Sequence, residues 1–133
     1  MGLDYGRARI GVAISDESRR IALPLTALDA RRELKQKLGE LVSGREVGRI
    51  VIGYPLDRNG QPGAMGNEVR EFSERLASWF GVECVLWDER YTTAQASGAA
   101  RKSGSSAKKS QNDMAAATII LQSYLDSIGR QSS

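Results

Sequence analysis

Residues 2–16, GLDYGRARIGVAISD, decide how the rest of the chain is read. Residues 2–5 read as a first strand, and RIGVAISD as a second after a turn over residues 6–9. In the second, Ile10, Val12 and Ile14 fall on one face and Gly11, Ala13 and Ser15 on the other. The two runs form a hairpin with a four-residue connection. Asp4 sits inside the first strand and shares a face with Gly2 and Gly6. A buried carboxylate is costly unless something pairs with it. Asp4 thus has two readings: a structural pair with Arg7 or Arg9, or a cation held at its carboxylate. The flanking glycines leave room for a metal ion or a phosphodiester backbone to come close.

Beyond the hairpin, RIALPLTAL reads as a third strand, with Pro24 marking an edge position. Asp29 is placed to cap a helix running to about Val42, with Leu34, Leu38, Leu41 and Val42 as its apolar face and Gly44 as its stop. RIVIGYP is a continuous apolar run of the kind covered on both sides. LDRNGQPGAMG comes next as a long Gly/Pro-rich loop. Asn67 is placed to cap the next helix, whose stripe is Val69, Phe72, Leu76, Trp79 and Phe80, with Gly81 ending it. VECVLWDER is another strand, and Thr93 opens a short Ala-rich helix. KSGSSAKKSQ reads as a polar low-complexity segment. The last helix is expected from about Asn112 to Ile128, with Leu121, Tyr124, Leu125 and Ile128 as its stripe. This order implies an α/β fold: a three-strand meander, then two parallel strands reached through helical crossovers, with helices on both faces of a mixed sheet. No repeat or linker divides the chain, so residues 1–133 are read as a single domain.

Composition narrows the chemistry. The chain has no histidine, which excludes Ser-His-Asp and Cys-His catalysis and every histidine metal ligand. Any metal site must use oxygen ligands, which points to Mg²⁺ or Mn²⁺. Cys84 is the one cysteine, so no intrachain disulfide forms, and a reducing, cytoplasmic setting is expected. No apolar run is long enough to span a membrane and no signal-peptide pattern is present. The first strand begins almost at once, so a residue or two is expected ahead of it. The net charge is only +3, but no acid occurs between Arg90 and Gln111 while Arg90, Arg101, Lys102, Lys108 and Lys109 are basic. Such a stretch suits a polyanion or, equally, a solvated loop.

Two more places put acids where they bear on Asp4. Asp88 and Glu89 close a buried strand, at the strand end where open α/β sheets bind ligands. Adjacent strand residues point to opposite faces, so at most one of the pair faces the side of Asp4. The other can anchor the loop, by pairing with Arg90 or capping the next helix. Asp113 heads the small-residue face of the last helix, above Ala116, Ala117, Ile120 and Tyr124. A first-turn acid is also favoured by the helix dipole alone. Together, three acids suit phosphodiester hydrolysis around two metal ions, which needs no histidine.

Four segments, GLDYGRARIGVAISD, VIGYPLDRNG, DERYTTAQA and NDMAAATIILQSYL, come in the order and spacing of the YqgF/RuvX family, which this chain resembles over nearly its whole length. The resemblance implies an RNase H-like fold of five mixed strands, similar to the Holliday-junction resolvase RuvC. It implies a metal-dependent nuclease, active on structured RNA such as pre-16S rRNA in 5′-end processing during ribosome biogenesis. It also implies that Asp4, Glu89 and Asp113 are the catalytic, metal-holding acids of a two-ion Mg²⁺ or Mn²⁺ site, with Asp88 second in rank. Arg7, Arg9, Arg90, Thr92, Thr93, Lys102, Lys108 and Lys109 are the expected nucleic-acid contacts. Ala116 stands where a resolvase-like site has a further acid, so a weakly held second ion and slow or Mn²⁺-dependent activity are expected. The alternatives are a resolvase for branched DNA, which requires a dimer, and a non-catalytic RNA-binding assembly factor. Both monomer and homodimer remain open. The glycine-rich hairpin also resembles the phosphate loop of actin-like ATPases, but those proteins use two such domains.

Overall fold

The alternation in β2 (Arg9–Ser15) organises the whole molecule. Ile10 and Val12 enter one apolar core and Ala13 the other, so β2 is covered on both sides. The computed structural model describes residues 1–92 and 106–131. β1 is Gly2–Asp4, β3 is Ala22–Asp29, β4 is Arg49–Tyr54 and β5 is Glu83–Asp88. The sheet order is β3-β2-β1-β4-β5. The β1–β2 and β2–β3 pairs are antiparallel, whereas β1–β4 and β4–β5 are parallel. The mixed five-stranded α/β sheet expected from the sequence is the one observed. Pro24 lies in β3, which is an edge strand.

Helices α1 (Leu34–Gly44) and α2 (Ala64–Phe80) cover one face. Leu3, Ile10, Val12, Ile50 and Ile52 meet Leu38, Val42, Val69, Phe72 and Leu76 there. Each such large side chain, once fully buried, stabilises the fold by about 1.5–3 kcal/mol. Among the described residues, helix α3 (Ser106–Gln131) alone covers the other face. Its buried residues Asp113, Ala116, Ala117, Ile120, Leu121, Tyr124 and Leu125 recur at helical spacing. Small residues bring α3 close to the sheet: a Cβ built on Gly2 would lie 2.6 Å from the Cβ of Leu121. No described helix is long and apolar enough to cross a membrane.

Three helix starts differ from the sequence reading. Asp29 does not cap α1: it ends β3, and its carboxylate accepts a hydrogen bond from the Arg31 backbone N–H at 2.8 Å, forming a turn. The helix itself starts at Leu34, after Glu33 in a left-handed conformation. Asn67 does not cap α2, which begins at Ala64 with Gly63 as its cap, and the Asn67 N–H already donates to the Gly63 carbonyl. Last, α3 starts at Ser106 rather than near Asn112. Residues 106–111 carry no apolar stripe, so periodicity does not mark them, yet alanine, lysine and glutamine are good helix formers. The expected short helix from Thr93 lies outside the described residues.

The long Gly/Pro-rich loop is tied to itself. Leu56 bridges Pro62, and the Asp57 carboxylate accepts from the N–H groups of Asn59 and Gln61, each at 2.9 Å. Gly60 takes φ +78, which glycine adopts without strain.

Candidate active site

Asp4 ends β1 and is 4% exposed. Leu3 fills the α1/α2 core, so Gly2 and Asp4 face α3. Gly11 stands across from Asp4 in the antiparallel β1–β2 pairing. A Cβ on Gly11 would lie 1.9 Å from the carbonyl oxygen of Asp113 and 3.1 Å from its Cβ. No side chain fits there, and the backbone of α3 rests directly on β2.

A matching arrangement lies on the other side of Asp4. The parallel register Gly2↔Val51 and Leu3↔Ile52, continued by one residue, sets Gly53 beside Asp4. A Cβ on Gly53 would lie 2.6 Å from Oε1 of Glu89. Neighbouring strands are about 4.8 Å apart. Asp113 and Glu89 therefore stand over the strands immediately flanking Asp4. Residues from the head strand, the β5 turn and the tail helix thus meet at one end of the sheet, at the carboxyl ends of its parallel strands.

The alternation at the end of β5 separates Asp88 from Glu89. Asp88 caps the 3₁₀ turn Glu89–Tyr91, accepting from the Arg90 backbone N–H at 2.8 Å and pairing with the Arg90 guanidinium at 2.7 Å. That guanidinium holds the Asp88 carboxyl below the usual carboxylate range. Thr92 closes the same turn, its hydroxyl donating to the Glu89 carbonyl at 2.6 Å. Trp87 ties the turn to α3, its indole N–H donating to the Ser123 hydroxyl at 3.0 Å. Asp88, Arg90 and Thr92 thus shape the turn that carries Glu89.

The basic residues divide. The Arg9 Nε donates to Oδ2 of Asp113 at 2.7 Å. Arg7 instead pairs with Glu68 on α2, Nε to Oε2 at 3.0 Å, and lowers that carboxyl's pKa. A cleft of about 230 Å³ opens beside Asp113, lined by Gly6, Arg7, Ala8, Arg9, Lys109 and Asn112. Lys108 and Lys109 are exposed in the first turn of α3. Thr93 and Lys102 lie outside the described residues. A larger cleft, about 610 Å³, lies near Ile14, Arg49, Tyr124 and Ile128 and contains none of the three acids. Among the described residues, no three cysteines, aspartates or glutamates are gathered closely enough to hold a metal ion as they stand.

Sequence reasoning did not find the Arg9–Asp113 pair, the Arg7–Glu68 pair or Gly53 as the floor beneath Glu89. Only the last left a sequence signal, a glycine inside an otherwise apolar strand. A family model described as "RuvX: Holliday junction resolvase" matches residues 1–127. The chain belongs to the RuvX family. Its mixed sheet with α3 on one face is the RNase H-like fold of that family. RuvX relatives named "Putative pre-16S rRNA nuclease" match along almost the whole chain. That of Protochlamydia amoebophila is 41% identical, covering 96% of this chain and 92% of the relative. That of Thermoanaerobacter pseudethanolicus is 41% identical, covering 96% and 95%. That of Chloroflexus aurantiacus is 43% identical, covering 95% and 85%.

Proposed function

We propose that this RuvX-family nuclease hydrolyses phosphodiester bonds in structured RNA, acting in 5′-end processing of pre-16S rRNA. One observation carries the reading: Asp4 is flanked by two glycines whose missing side chains make room for Asp113 and Glu89. The reading takes acids from three distant segments of the chain, Asp4 buried at the end of β1, Glu89 over Gly53 and Asp113 over Gly11, as ligands of shared ions.

The donor set is oxygen only and suits Mg²⁺ or Mn²⁺. Asp4, Glu89 and Asp113 would hold the ions, which when bound supply an activated water and stabilise the leaving oxygen. Asp113 must first give up its contact with Arg9. Ala116, one turn on, offers no fourth carboxylate, which favours a weakly held second ion and a preference for Mn²⁺. Arg9 and Lys109 line the cleft beside Asp113 and would take backbone phosphates, contacts that position a strand without reading its sequence. Arg7 would have to share its guanidinium with Glu68 to do the same.

A second reading is favoured by the family description: a resolvase acting on four-way DNA junctions. The deciding experiment offers Mn²⁺ and Mg²⁺ with pre-16S-like RNA, single-stranded RNA and a four-way junction. Cutting of the pre-16S-like RNA supports the proposal, and cutting confined to the junction supports the resolvase. No cutting of any substrate leaves a non-catalytic RNA-binding factor. Asp4→Asn is expected to slow cleavage by about 100-fold or more, equivalent to roughly 2.7 kcal/mol of transition-state stabilisation. Unchanged cleavage by Asp4→Asn overturns the site.

A further inference from the structure

We propose that Arg9 is a built-in counter-cation, occupying Asp113 in the metal-free protein and yielding it when a divalent ion binds. The inference rests on the reading of Asp4, Glu89 and Asp113 as the metal-holding acids. On that reading, acids that share ions raise one another's electrostatic cost while no metal is bound. Asp113 is also nearly buried, its side chain 13% exposed, where an uncompensated charge is costly. The Arg9 guanidinium answers both demands through its 2.7 Å contact with Oδ2.

Placement makes this contact an alternative to metal binding. Arg9 and Gly11 share the α3 face of β2, two residues apart, which is about 7 Å along a strand. Gly11 lies across from Asp4, so Arg9 leaves the strand beyond the level of Asp4 and engages Asp113 from there. The described residues hold no ready three-acid metal cage, so on this reading metal binding requires side chains to move. A guanidinium and a divalent ion on the same carboxylate repel, so the two compete for it. Arg9 also has somewhere to go. Its side chain is 35% exposed and borders the 230 Å³ cleft.

The test is Mn²⁺ binding to the purified full chain by isothermal calorimetry, without substrate. Arg9→Met is expected to bind Mn²⁺ about three- to tenfold more tightly than the parent, because the competitor is gone. Asp113→Asn is expected to bind at least tenfold more weakly. Equal or weaker binding by Arg9→Met, with Asp113→Asn still weakened, overturns the counter-cation and leaves the metal site standing. Unchanged binding by both Asp113→Asn and Asp4→Asn overturns the metal site and this inference with it. The parent supplies a readout that does not depend on whether Arg9→Met folds. The Arg9 Nε–H proton resonance is expected to move toward that of a solvated arginine, and to exchange faster, as Mg²⁺ is titrated to saturation. A resonance that stays in place at saturating Mg²⁺ overturns the proposal.

Discussion

On the face of the sheet beneath α1 and α2, strand positions carry Leu3, Ile10, Val12, Ile50 and Ile52. On the face beneath α3 the neighbouring positions carry Gly2, Asp4, Gly11, Ala13, Val51 and Gly53. The first face is filled by branched and aromatic side chains that hold their helices off the strands. The second is thinned by glycine and alanine, so that a helix backbone touches a strand backbone and charged groups lie in the space between. Both faces carry a buried core, but the candidate chemistry lies only on the second, although both belong to the same strands.

Breaking the thick face should cost the most and leave the site's metal response alone. Phe72 is 1% exposed, and Phe72→Ala is expected to lower unfolding free energy by about 3–5 kcal/mol in urea titrations. Its Mn²⁺ affinity should stay that of the parent while it remains folded.

Breaking the thin face should cost less stability and more activity. Gly11→Ala drives a methyl into the Asp113 carbonyl, with an expected loss of about 1–3 kcal/mol and of cleavage together. Gly44→Ala is the control. No atom lies within 4 Å of its added methyl, and the substitution in the last turn of α1 should stabilise by up to about 1 kcal/mol without altering cleavage.

A smaller effect sharpens the comparison at the β5 turn. Asp88 titrates below its ordinary value because Arg90 stabilises the carboxylate, so its contribution to stability is present above the unfolded pKa of about 3.9. That contribution is lost as pH falls through the lower, folded pKa. The stability gap between the parent and Asp88→Asn, followed by thermal unfolding, should be greatest near neutrality and close below about pH 4. A gap that widens on acidification would contradict the pairing.

Local patterns were legible and distant pairings were not. Ile10, Val12 and Ile14 announced one face of a strand, Pro24 an edge, and Gly81 a helix stop in the left-handed conformation. Alternation also implied that Asp88 and Glu89 point apart, and the structure has Asp88 bound to Arg90. Helix starts were misread where polar residues allowed several caps. Asp29 and Asn67 both have capping chemistry, but the helices start at Leu34 and Ala64, with Glu33 and Gly63 as their caps. Arg9 and Asp113 are 104 positions apart, and no local rule links them. The same holds for Arg7 and Glu68. Charge alone could not tell which arginine pairs with Asp113 and which ties the hairpin to α2.

Gly11 carries a further consequence for the timing of synthesis. A ribosome-bound chain that has emerged only as far as the Glu89–Tyr91 turn already holds Asp4 and Glu89, but the groove over Gly11 still awaits its helix. On the proposed chemistry such a nascent chain is inert toward RNA, including the ribosomal RNA around it. It becomes competent only when the tail settles onto the head.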